Sequence, residues 1–69
     1  MKNGLFEPGD IVALLESGEL WLLEHKIDET EITSWGVSNN TGDSILNHGS
    51  FRLATEEEQR IFQPSPLYR

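Results

Sequence analysis

Apolar residues in this 69-residue chain fall in short runs separated by turn-forming residues, with no long helical periodicity. Pro8-Gly9-Asp10 is a turn that delivers the chain into Ile11-Val12-Ala13-Leu14-Leu15. Glu16-Ser17-Gly18-Glu19 interrupts, and Leu20-Trp21-Leu22-Leu23 then leads on to Ile27. Two apolar runs around a Ser-Gly turn predict a β-hairpin. Both runs are nearly continuous, a pattern suited to strands covered on two faces when a small sheet curls on itself. A buried helix would place Gly18 near its centre, where glycine is costly.

The following segment alternates. Asp28-Glu29-Thr30 makes a bend, and Glu31 to Ser38 reads as a third strand enriched in β-branched and aromatic residues. Thr33, Trp35 and Val37 share one face, with Ile32, Ser34 and Gly36 on the other. Gly36 beside Trp35 predicts a bulge or a close backbone approach. Asn39 to Asp43 reads as a loop, Ser44 to Asn47 as a strand, His48-Gly49-Ser50 as a turn, and Phe51 to Ala54 as a fifth strand.

One helix is expected, and it comes late. Thr55-Glu56-Glu57-Glu58 is a capping box, with Thr55 as N-cap and Glu58 reaching back to its backbone N–H. Three acids in the first turn complement the helix dipole, and Glu56 sits four residues before Arg60. Ile61 and Phe62 provide an apolar anchor before Pro64 stops the helix. These elements predict a mainly β fold: a small SH3-like barrel of about five short strands with a short C-terminal helix. The domain is expected to span residues 1–63, with 64–69 an extended tail.

Two stretches carry a resemblance. Phe6-Glu7-Pro8-Gly9-Asp10-Ile11-Val12 resembles the "F-x-x-G-D-x-V" entry to the first strand of SH3-like barrels, KOW-type domains among them. Phe51-Arg52-Leu53-Ala54-Thr55-Glu56-Glu57-Glu58 is similar to the "R-x-A-T-x-E-E" ending of short bacterial and bacteriophage proteins. The resemblance covers about fifteen positions and implies the fold and a prokaryotic or phage setting; neither motif marks a catalytic or ligand site. The "A-L-Y-D-Y" pattern of Pro-binding SH3 domains is absent, and KOW-type nucleic-acid binders are usually basic.

Composition narrows the chemistry. Twelve acids face five bases, for a net charge of −7 and a pI near 4.5. That balance opposes direct DNA or RNA binding, which neutralises phosphates with clustered Lys and Arg. The absence of cysteine removes disulfides and thiol nucleophiles. The longest apolar run, Ile11 to Leu15, falls short of the roughly 20 residues a bilayer span requires. With no signal-peptide pattern either, a cytoplasmic protein of a bacterial or phage-infected cell is expected. His25 and His48 lack metal-site spacing, and no serine has a nucleophile-elbow context. No catalytic residue, metal or cofactor is therefore expected, and the protein reads as non-enzymatic.

The acids are unevenly placed. Between Glu7 and Glu31 stand eight carboxylates against Lys26 alone, while residues 32–69 carry four against Arg52, Arg60 and Arg69. Acidity of this kind serves solubility in most small proteins. The sharper expectation is an acidic hairpin that docks on a basic protein surface, with Glu16, Glu19, Trp21, Glu24, Asp28, Glu29 and Glu31 as contact residues. A phage-encoded inhibitor could occupy the nucleic-acid channel of a host enzyme in this way. Two alternatives stand beside it. Exposed aromatics, Trp21 and Tyr68 above all, could bind a nucleotide or other small ligand with Arg52 or Arg60 nearby. An open strand edge could also make the chain a self-assembling subunit or homo-oligomer. Trp35 and Phe51 are expected in the core.

Overall fold

A computed structural model describes residues 6–30 and 32–64. Five antiparallel strands form one sheet: β1 (Ile11–Leu14), β2 (Leu20–Lys26), β3 (Trp35–Asn39), β4 (Gly42–Leu46) and β5 (Phe51–Leu53). A six-residue helix, α1 (Glu56–Ile61), follows. The strand order is β4-β3-β2-β1-β5, a meander whose last strand returns to pair with the first. This mainly β architecture with a short C-terminal helix is the expected class, and the order leaves β4 and β5 at the edges.

The hairpin forms where the Ser-Gly turn predicts it. Ile11 lies opposite Leu22, Val12 opposite Trp21 and Ala13 opposite Leu20. Gly18 takes φ +78°, a left-handed conformation that costs a side-chain-bearing residue energy, and its N–H donates to the Leu14 carbonyl at 2.8 Å. The expected loop at 39–43 contracts to Asn40-Thr41, because Asn39 closes the turn itself. Its Oδ1 accepts from the Thr41 N–H at 2.8 Å and the Thr41 hydroxyl at 2.6 Å, so β3 and β4 extend further than turn composition suggests.

The core is Val12, Trp21, Leu23, Trp35, Val37, Leu46 and Phe51, with Phe6 and Leu14 packed against it. Phe6 meets Phe51 edge-on, centroids 4.9 Å apart. Trp35 and Phe51 are core residues as expected. Trp21 is not displayed: it is 7% exposed and faces the core beside Val12. A continuous apolar run does not say which of its residues points inward, and here the alternation puts Trp21 and Leu23 inside and leaves Leu20 and Leu22 half-buried.

The helix differs from its expected packing. The capping box is present, with the Thr55 hydroxyl accepting from the Glu58 N–H at 3.1 Å and Glu58 Oε1 accepting from the Thr55 N–H at 2.8 Å. No residue of α1 is buried, however, and Ile61 is exposed rather than anchoring it. The helix is held by polar contacts instead. Arg52 on β5 forks onto the two Glu58 carboxylate oxygens, each at 2.9 Å, a pairing that takes the place of Glu56 with Arg60. Beyond the helix, the Asn40 N–H donates to the Gln63 carbonyl at 3.0 Å, tying the chain back to the β3–β4 turn. Among the described residues no helix is long and apolar enough to cross a membrane.

Candidate functional site

The acids grouped by sequence are divided by the fold. Glu16 and Glu19 sit on the β1–β2 turn, while Asp28 and Glu29 lie in the bend after Lys26, at the other end of β2. Seven residues of strand separate the two pairs, about 20 Å at the ordinary strand rise. They cannot form one compact contact point. Glu31 lies outside the described residues, as do Tyr68 and the tail from residue 65 onward.

The turn at Glu16 and Glu19 is firmly built. The Ser17 hydroxyl accepts from the Glu19 N–H at 3.2 Å, and the Leu14 N–H donates to the Glu19 carbonyl at 2.9 Å. Both side chains are exposed, and their carboxylates take no hydrogen bond or ion pair among the described residues. Glu29 stands in the same condition at the opposite end. Asp28 is different. Its Oδ1 accepts from the Thr30 N–H at 2.9 Å and the Thr30 hydroxyl at 2.8 Å, and these bonds hold its carboxyl below the usual range. Asp28 shapes its bend, and its own N–H donates to Thr33 Oγ1 at 3.0 Å.

Glu24 is also drawn into the fold. The register between β2 and β3 shifts between Leu23 and His25, leaving Glu24 as the extra residue of a β-bulge opposite Val37 and Gly36. Its half-buried carboxylate accepts from the Ser38 hydroxyl, satisfying a polar group in a residue with no exposed surface. The irregularity that Gly36 predicts is real, but it lies on the neighbouring strand. Gly36 itself answers a close approach: a Cβ there would come within 2.5 Å of His25 Cε1, so the imidazole occupies the space a side chain would need.

This arrangement creates a surface feature that residue types alone did not reveal. On the outward face of β2, β3 and β4, His25, Gly36 and Ile45 form one cross-strand row and Leu22, Ser38 and Asp43 the next. Beside Gly36 lies a hollow of about 220 Å3, walled by Glu24, His25, Ile27, Asp43 and Ile45. A larger open recess of about 570 Å3 adjoins it, sharing Glu24, His25 and Ile27 and extending to Pro8, Lys26, Asp28 and Glu29. Ile27 and Ile45 are 49% and 61% exposed, an apolar rim beside carboxylates. The sequence signal for it was Gly36 opposite a histidine, legible only once the register is known.

Among the described residues no group of three or more histidine or carboxylate side chains is gathered to hold a metal. The described aromatics are buried or half-buried, and Arg52 is engaged by Glu58. No protein-family model, curated protein or solved structure matches the chain.

Proposed function

We propose that this protein is a small non-enzymatic binding module whose exposed carboxylates dock on a basic surface of a protein partner. The observation that carries this reading is the state of Glu16, Glu19 and Glu29. They stand on turns at both ends of β2, exposed, their carboxylates unengaged by any base among the described residues. Charge held on short, hydrogen-bonded turns is pre-positioned and loses little freedom when it meets a cation. A field of one sign also speeds encounter with a positive cleft. A phage-encoded inhibitor of a nucleic-acid-binding host protein is the specific form this reading takes, because such proteins present basic clefts.

Capture from a bacterial lysate, washed at about 0.1 M and then about 1 M salt, tests it, since screening shortens from about 10 Å to about 3 Å over that range. The wild-type chain should retain a basic protein in the first wash and release it in the second. Glu16→Lys combined with Glu19→Lys should lose it at both while remaining folded. Retention that is indifferent to salt and to the double substitution would contradict the reading.

A further inference from the structure

β4 is an edge strand with little of the usual protection. Its five residues, Gly42–Leu46, pair with β3 at five consecutive positions without a bulge, and among the described residues its other side meets no strand. In a strand paired on one side, the backbone N–H and C=O groups of every second residue point outward, unused. Edge strands are ordinarily blunted by charged side chains, proline or a bulge, and of these β4 has only the single charge of Asp43. The opposite edge differs, because β5 has only three residues and is braced by the Arg52–Glu58 fork from α1.

Side chains beside the β4 edge specify an occupant. Asp43 and Ile45 are two residues apart and share the outward face, both exposed. Asp43 is a carboxylate with no engagement among the described residues, and Ile45 borders the hollow floored by Gly36. A strand laid along β4 places its own side chains at the same two-residue spacing, one over Asp43 and one over Ile45.

We propose that the β4 edge receives an extended segment of a protein partner as a sixth strand, with a Lys or Arg side chain over Asp43 and an apolar side chain over Ile45. This rests on the acidic-docking reading and names the segment of partner and the place where it binds. Charge complementarity selects that occupant over a second copy of the chain. Another copy would bring its own net charge of −7 and its own Asp43 to the same edge. A cationic side chain on that strand meets Asp43, with the Glu24 carboxylate lining the same hollow.

The test uses the full 15N-labelled chain at low salt with the blocked peptide Thr-Lys-Thr-Val-Thr-Lys-Thr, whose Lys-x-Val spacing reads alike in both directions. A second peptide has the same side chains and charge, but every backbone nitrogen is methylated so that it cannot join a sheet. The unmodified peptide should shift the amide resonances of Asp43, Ser44 and Ile45, and the methylated one should leave them in place. Ile45→Lys, at an exposed position, should weaken binding by about fivefold or more while the fold is retained. Equal effects from both peptides, spread over Glu16, Glu19 and Glu29, would overturn the β4 site and leave acidic docking standing. Failure of both peptides to bind would remove acidic docking itself. Shifts in β4 amides on raising the protein concentration alone would assign the edge to a second copy and overturn the proposal.

Discussion

β3 and β4 are partners at five consecutive positions, yet they live in opposite environments. Every residue of β3 is buried, while β4 exposes all but Leu46. β3 lies between two strands and carries Trp35 and Val37 into the core. Its two polar residues are tolerated there because each is satisfied: Ser38 donates to Glu24, and Asn39 Nδ2 donates to the Leu20 carbonyl at 2.8 Å. Among the described residues β4 has one neighbouring strand, and its outward residues answer to solvent or to a partner. One ladder thus joins the part of the molecule that specifies the fold to the part that is free to act. Substitutions in the two strands should therefore fail in different ways.

The largest break comes from Trp35→Ala. It removes the bulk of the core under β3 and should cost about 3–5 kcal/mol, enough to unfold much of a chain this small in a urea titration. Asn39→Ala should cost about 1–3 kcal/mol, because it leaves the half-buried Leu20 carbonyl without its side-chain donor and opens the β3–β4 turn. Gly36→Ala is a sharper probe. The new Cβ would push against the far edge of the His25 ring, which can swing outward, so the cost should be about 1 kcal/mol. In a His25→Ala background that cost should vanish, and a double-mutant cycle by thermal unfolding reads the difference.

A further prediction compares the two edges through pH. The Arg52 fork, followed by the Thr55 N–H, pulls the Glu58 carboxyl from its ordinary 4.5 to about 2. A carboxyl depressed in the folded state contributes stability that is full above its unfolded value and is lost as pH falls toward the folded one. The brace on the β5 edge should therefore weaken between about pH 4.5 and about pH 2, and Glu58→Gln should flatten that part of the acid-unfolding curve. The smallest effect belongs to β4. Ile45→Lys should leave the unfolding midpoint almost unchanged, within about 0.5 kcal/mol, because its side chain is exposed.

The same contrast explains what could be read in advance. Turns and caps are written in local chemistry, so the Ser17-Gly18 hairpin and the Thr55 capping box follow from a few adjacent residues. Trp35 inside and Ile32 outside follow from alternation. Trp21 departs from its expected display because a run of four apolar residues supplies no alternation to choose a face. The acids between Glu7 and Glu31 look like one feature along the chain, but β2 carries them to two ends, and the bulge at Glu24 turns one of them onto Ser38. The hollow at Gly36 was hidden for a further reason: its walls come from three strands, and only the register brings Ile27, His25 and Ile45 to one side.

Residue-resolved amide hydrogen exchange, with and without a bound basic partner, tests most directly whether β3 is the closed interior and β4 the open edge. In the free protein β3 amides should exchange only through global unfolding, while the outward amides of β4 should exchange far faster. Binding should slow the outward β4 amides and leave β3 unchanged. Outward β4 amides that are as protected as β3 in the free monomer, or that ignore the bound partner, would contradict the account.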